Sequence, residues 1–486
     1  MEITVTSNLF ALFVLLSVIL YYLIPLRMQW MLLLAISILF YASYGLVPLV
    51  FLVFSAYITW IIPLYMKEGE EHKRQRRILL AAGVLADLVP LLYLKYAGFF
   101  AELMTPLTGR TFVFATLLLP LGISYYTFQT IGYMADAYRG EITPCRNFFQ
   151  YLLFVCYFPH IIQGPIARYA DLMPQLLAER AFSFRRMRAA VLYVAWGLFQ
   201  MMLVADWASL FRTSIFADTA TYGGLAALGA VLYGIELYAN FSGGIDLMRG
   251  ISVFFGVMPA LNFRRPYFAT SIADFWRRWH ITLGTFLRNN IYFPLGGSRK
   301  GKVRTACNLL VVFFVSGLWH GASLSFVGWG VYHGILSALA VLFAGAFHKG
   351  LEALHIPKES SAWHAVRVVR TFVLVNFGWF FFLADSFENA LAYIRLSVTS
   401  FTPALLLRIP AGRLGTAYTP YALWTLFASL LLMLLVGIIR ERGVPVMNTL
   451  TKLPLWAQVA LGCALICAIP LFAPMGVPGG FIYAQF

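Results

Sequence analysis

Charge is scarce in this chain. Of its 486 residues only 12% are Asp, Glu, Lys or Arg, while 61% are hydrophobic. Soluble domains carry about 25% charged residues, so a water-soluble enzyme is excluded as the class. Acidic residues are the scarcest, 20 against 36 Lys and Arg, for a formal charge of +16. An excess of that sign collects in the cytoplasmic loops of membrane proteins and also attracts anionic substrates or lipid headgroups. It does not point to nucleic acid, because no recognisable nucleic-acid module accompanies it. Cysteine is rare too. The five, at 145, 156, 307, 463 and 467, form no CxxC and no Cys/His cluster with zinc spacing. Neither a metal nor a disulfide is expected, and Cys463 and Cys467, four apart on an apolar helix, read as packing residues. No glycine-rich nucleotide loop is present. No internal repeat is evident, which argues against an inverted-repeat transporter. The opening "MEITVTSN" has no basic region and no small-residue cleavage site follows. Residues 9–24 therefore read as a retained first span rather than a leader.

What the chain has is long apolar runs. Candidate spans fall at 8–24, 29–44, 48–65, 78–98, 112–133, 149–163, 187–210, 222–241, 305–320, 324–347, 367–385, 418–439 and 455–473. Runs of ~16–24 residues suit helices crossing a ~30 Å hydrocarbon core; the strands of a membrane β-barrel would alternate over ~10 residues. The fold class expected is an all-α polytopic membrane protein, with about eleven transmembrane helices plus re-entrant or short helices, some of the latter in 245–300. Residues 1–486 read as one integral membrane domain, the longest extramembrane segments lying near 348–366 and 398–417. The loop "KEGEEHKRQRR" at 67–77 has five Lys or Arg and should be cytoplasmic. Three spans precede it, which places the N-terminus outside. The basic stretch 264–304, with Asp274 its one acid, should face the cytoplasm or a cavity open to it.

Polar residues interrupt this apolar background in five places. In "LPLGISYYTFQTIGYMADAYRG" (119–140) Ser124 and Gln129 suit interhelical hydrogen bonds, and Asp136 with Arg139 reads as an interfacial ion pair. "YFPHIIQGPIARYADLMPQL" (157–176) has Pro159 and Pro165, which break a helix. Broken backbone at membrane depth needs protein or water around it, so a re-entrant segment carrying His160 and Gln163 fits. In "YGIELYANFSGGIDLMRG" (233–250) Glu236 and Asn240 are spaced i, i+4, and Asp246 follows a Gly-Gly break. Ionisable groups inside a span are costly and mark function by default, although a buried pair that holds the arginine-rich stretch reads equally well. "FWRRWHITLGTFLRNNIYFPLGGSRKG" (275–301) places Trp276, His280 and Gly284 at i, i+4 spacing, beside Arg277. "SGLWHGASLSFVGWGVYHG" (316–334) ends an apolar run on His320, between Trp319 and Gly321. Glycine there would let a substrate approach the backbone. His333 reads as packing.

Two histidines can perform acyl transfer without a metal. Imidazole has an unperturbed pKa near 6.5 and can take the proton of an attacking hydroxyl. A second polar group can orient the acceptor or hold the developing oxyanion. A thioester donor is already activated, so no ATP is needed, and Arg277, Arg278 and Arg288 could hold its phosphates. The same acids, Glu236, Asp246 and Asp136, could instead form an ion or proton path, and a non-catalytic scaffold is the other alternative.

These motifs resemble the membrane-bound O-acyltransferase (MBOAT) family. "FWRRWHITL" followed forty residues later by "GLWHG", with "LPLGGSRKG" between, carries the resemblance. "LPLGISYYTFQTIGYMADAYRG", "FPHIIQGPIARY" and "FSGGIDLMRG" extend it over about residues 30–345, and the remainder, 346–486, matches by hydropathy alone. The bacterial alginate and polysaccharide O-acetyltransferase branch fits best; the teichoic acid D-alanyl-transfer branch is a relative. The resemblance implies a funnel through a bacterial cytoplasmic membrane, with His320 as catalytic base and His280 as the second site residue. Gln163, Asn240, Asp246, Trp276, Trp319 and the three arginines are the candidate binding residues. It implies no bound cofactor or metal, acetyl-CoA or another acyl thioester as donor substrate, and a polysaccharide as final acceptor. It also implies an extracytoplasmic SGNH/GDSL-like partner enzyme. The chain departs from the pattern in two places: "NFSGGID" stands where the family commonly has "DFSGYSD", and Asn289 and Asn290 follow "FLR".

Overall fold

The structure is a computed structural model, described over residues 7–109, 120–353, 355, 357, 359–407 and 419–474. These residues contain helices and no strand. Among the described residues nine helices are long and apolar enough to cross a membrane, and three shorter apolar helices accompany them, Asn8–Leu23, Leu26–Ala42 and Phe148–Gln163. The sequence reading of about eleven crossings lies between nine and the larger set. Aliphatic and aromatic side chains crowd the outer surfaces of these helices, Leu46, Val50, Trp424 and Leu434 among them. Such faces would be costly in water and are satisfied by lipid. The first part of the expected 112–133 span and the second half of the 398–417 segment lie outside the described residues.

The chain divides into two compact units, the described parts of Met1–Val194 with Ile245–Ala260, and of Ala195–Gly244 with Leu261–Ile482. The first holds α1 (Asn8–Leu23), α2 (Gln29–Ala42), α3 (Leu46–Leu64), α4 (Lys73–Thr108), α5 (Ile123–Arg139), α6 (Phe148–Cys156), α7 (Phe158–Gln163) and α8 (Tyr169–Leu177). The expected break near Pro159 is present: α6 stops at Cys156, Tyr157 leaves the helical conformation (ψ 110), and Pro159 sits in the first turn of α7. Proline costs nothing there, because a first-turn N–H has no helical partner. Asp136 bonds Arg139 and also accepts from Arg168 at 3.1 Å, while Glu141 pairs with both arginines. The interfacial ion pair read from the sequence is thus a four-residue network.

α9 (Phe184–Phe199) runs through a π turn at Gln200–Ala205 into α10 (Asp206–Ala217), and the short α11 (Thr219–Tyr222) leads to α12 (Ala226–Phe254). Here one expectation is corrected. Gly243 and Gly244 do not break the helix; α12 passes straight through them and past Asp246. A Cβ at Gly243 would lie 2.8 Å from the Gly197 carbonyl oxygen, and one at Gly250 would lie 2.8 Å from the Val194 nitrogen. These glycines are there for close helix–helix approach, which in a membrane replaces the hydrophobic effect as the packing force.

The second unit continues with α13 (Ile272–Arg278), α14 (Ile281–Leu287), α15 (Gly301–His320), α16 (Leu324–Leu342), α17 (Ala344–Ala353), α18 (Ser361–Leu383), α19 (Phe387–Thr399), α20 (Thr419–Glu441), α21 (Val446–Leu450) and α22 (Leu455–Phe472). Cys463 and Cys467 on α22 are exposed rather than packed, because they fall on its outward face. α15 and α16 form a hairpin closed by Gly321–Ser323. Its seam is made of glycine: a Cβ at Gly330 would collide with the Phe313 carbonyl, and one at Gly317 with that of Phe326. The backbones cannot separate without carrying His320, the last residue of α15, with them. Gly330→Val should lower stability by about 1–3 kcal/mol, as overpacking does, visible as an earlier thermal unfolding midpoint in detergent. An unchanged midpoint would show the seam to be loose.

Candidate active site

His280 lies between the spanning helices Thr219–Phe254 and Gly301–His320, at the joint of α13 and α14. The sequence placed Trp276, His280 and Gly284 on one helical face. The helix instead stops at Arg278, and His280 takes the left-handed conformation, φ 44 and ψ 55. Few non-glycine residues do so, and the reversal turns the imidazole into the interior instead of along the α13 face. It is 2% exposed, and burial pushes its pKa down from 6.5 to about 3. The ring is therefore neutral at ordinary pH. The unfolded imidazole gains a proton as pH falls through about 6.5 and the folded one does not, so this group subtracts stability on acidification.

His320 ends α15 and is 4% exposed. Aromatic rings enclose it edge to face: Trp319 at 4.8 Å, Trp329 at 5.0 Å and Phe382 at 5.0 Å between centroids. His280 meets Phe241 at 5.0 Å and Trp319 at 5.8 Å. Trp319 thus touches both imidazoles. Beyond Trp329 lies His333, 5.2 Å from it and 4.9 Å from Trp276. His333 is fully buried among these rings, as packing predicts. One sequence reading is corrected beside His320. The space a Cβ would occupy at Gly321 is filled by the Phe326 ring, so that glycine serves packing and not the approach of a substrate.

This arrangement joins His280, His320, Trp276 and Trp319 in one unit. The three arginines lie elsewhere on it. Arg277 is 71% exposed, Arg278 is tied to Asp274 at 3.1 Å and to Glu441 at 2.9 Å, and Arg288 is exposed at the start of a π turn. No local pattern signals Glu441, whose carboxylate also pairs with Arg265 at 2.5 Å; it arrives from α20, more than 160 residues away. Asn240 is buried one turn after Glu236. Glu236 does not hold the arginine-rich stretch but Arg212, at 2.5 Å, because α10 and not 264–304 packs against that face. Asp246 and Gln163 belong to the first unit. Asp246 pairs with Arg249 at 3.6 Å, and Gln163 is buried at the end of α7.

A neutral imidazole next to a second one in a box of aromatic rings suits proton transfer from a hydroxyl or thiol, in a site that excludes water. Among the described residues no group of three His, Cys, Asp or Glu could hold a metal ion.

Residues 141–384 match the model of the MBOAT, membrane-bound O-acyltransferase family. The chain is 35% identical over 392 residues to the probable alginate O-acetylase AlgI of Pseudomonas syringae pv. tomato, covering 79% of this chain and 73% of that protein. The chain belongs to the membrane-bound O-acyltransferase family.

It is also 32% identical to the peptidoglycan O-acetyltransferase of Helicobacter pylori, covering 74% of this chain and 72% of the relative. Identity to the teichoic acid D-alanyltransferase of Bacillus subtilis is 25%, over 55% of this chain. The protein is a multi-pass membrane acyltransferase.

Several residues of this candidate site escaped the sequence reading. Phe241, Trp329 and Phe382 form walls around the histidines; Phe382 sits in an ordinary apolar run, and Phe241 and Trp329, although inside the stretches 233–250 and 316–334, carry nothing that distinguishes a site wall from a lipid-facing side chain. Asn262 in "ALNFRRPYF" is a lone amide eighteen residues from His280, too far for any helical spacing to relate them. The Glu236–Arg212 pair has a structural consequence. Glu236→Gln should strip a buried guanidinium of its countercharge and cost about 3–5 kcal/mol, read as lost detergent stability. Stability equal to wild type would count against that structural role.

Proposed function

We propose that this enzyme moves an acetyl group from acetyl-CoA on the cytoplasmic side of a bacterial inner membrane to the outside, for O-acetylation of a polysaccharide. The observation that carries the reading is the pairing of buried His280 and His320 around Trp319. The relatives support it by their names, which are alginate and peptidoglycan O-acetylating enzymes over most of the chain.

In the proposed reaction His320 takes the proton of the acceptor hydroxyl as its oxygen attacks the thioester carbonyl carbon. The tetrahedral adduct collapses, the carbon–sulfur bond breaks, and the thiol leaves with the proton that His320 carried. An ester and free coenzyme A result. No step requires a metal or ATP. His280 orients the attacking group. Arg277 and Arg288, exposed and basic, suit the donor's phosphates at the membrane surface. The basic loop at 67–77 supports a cytoplasmic location for that loop and an external N-terminus. A second, extracytoplasmic SGNH/GDSL-like enzyme would complete transfer to the sugar, whether alginate or another glycan.

Acetyl release from radiolabelled acetyl-CoA by the purified protein in liposomes is the direct test. His320→Ala should lower turnover by about 10²–10⁴-fold, the range of a lost general base, with the thermal midpoint unchanged. Wild-type turnover in that variant would remove His320 from the chemistry. A purified chain inactive with every candidate partner present would favour a scaffold.

A further inference from the structure

The backbone around His280 is fastened from one side. Asn262, fully buried in the loop after α12, accepts at its main-chain oxygen from the Ile281 N–H at 3.0 Å. Its side-chain Oδ1 accepts from the Thr282 N–H at 3.1 Å and from the Thr282 hydroxyl at 2.9 Å, and stands 3.2 Å from His280 Nδ1. One asparagine therefore holds three consecutive residues, in a segment whose first member is in the left-handed region.

These bonds settle two ambiguities. An amide side chain can be turned either way, but a backbone N–H only donates, so the atom facing Thr282 is the carbonyl oxygen. A carbonyl oxygen only accepts. The His280 nitrogen beside it must then donate, which puts the imidazole proton on Nδ1 and leaves the lone pair on Nε2. The side-chain Nδ2 of Asn262 has no hydrogen-bond partner among the described residues. An asparagine that leaves a buried donor unmatched while using its oxygen three times is there as an acceptor.

We propose that Asn262 is a positioning residue that locks His280 as the Nδ1–H tautomer, so that His280 offers Nε2 as an acceptor to a donor group of the bound acceptor, the proton of the attacking hydroxyl being left to His320. This rests on the acyl-transfer reading and deepens it. A neutral Nε2 lone pair accepts from a hydroxyl or thiol and cannot donate to an oxyanion. Stabilisation of the tetrahedral intermediate by hydrogen bonding therefore belongs to another group, and His280 orders the acceptor before attack.

Two measurements test the assignment. The first needs no turnover: nitrogen NMR of the full-length protein labelled at histidine, with His280→Asn as the subtraction control. The wild type should show a neutral ring protonated at Nδ1, and Asn262→Ala should let Nε2–H appear. A wild-type ring protonated at Nε2 overturns the proposal whatever the substrate proves to be. The second compares turnover in variants that still unfold cooperatively. Asn262→Ala should lose roughly 10²-fold in kcat, the scale of a mispositioned reacting group, with KM for the donor unchanged. Asn262→Asp keeps the acceptor oxygens and should retain activity within about tenfold, being the conservative rescue. Full activity in the alanine variant, or equal loss in both, overturns it. A wild type with the Nδ1–H ring but no acyl transfer would instead count against the reaction.

Discussion

A polar group in hydrocarbon must find its partner within the protein, because no water competes for it. Much of the polar architecture of this chain follows from that constraint. Asp136 is met by Arg139 and Arg168, Glu236 by Arg212, Asp246 by Arg249. Buried Asp87 accepts from Ser55 at 2.5 Å and from Thr130 at 2.7 Å. Each pair joins separate stretches of chain or stiffens one turn, so the expensive residues become the joints of the helix assembly. The acids that would have made an ion path are the same ones engaged in this way.

Glycine supplies the complementary device. Without a hydrophobic drive between helices, contact must come from close backbone approach. Gly243 and Gly250 let α12 lie against α9, and Gly317 and Gly330 let α15 and α16 touch. The hairpin then fixes Trp319 and His320 at its closed end. From there Trp319 reaches the ring of His280, which the left-handed turn after α13 directs inward. Backbone geometry at a few small residues thus sets the position of two imidazoles.

The aromatic enclosure determines how those imidazoles behave. Rings packed edge to face exclude water without offering charge, and His280 is accordingly held neutral. What tunes it is a single amide oxygen, from Asn262, rather than a carboxylate. An oxygen acceptor against Nδ1 gives the neutral ring a defined tautomer.

The class of the protein was legible in composition, because the length and apolarity of a span are properties of a local run. His320 was legible as well, since it ends such a run beside Trp and Gly. His280 was found by its motif but given the wrong geometry: helical spacing assumes a continuous helix, and the chain reverses at that residue. Asn262, Glu441 and Arg212 were not legible, because each meets its partner from 18 to more than 160 residues away, and the aromatic walls were not because an apolar ring carries no sign of which way it faces. Gly243 and Gly244 together suggest a break, but the helix runs through both, and the helix against which Gly243 packs lies elsewhere in the chain. Sequence alone determined that this chain spans a membrane, belongs with acyltransferases and carries two candidate histidines. Only the tertiary structure decided which residues face them and which nitrogen of His280 holds its proton. Such facts depend on distances between separate helices, and no local pattern encodes those.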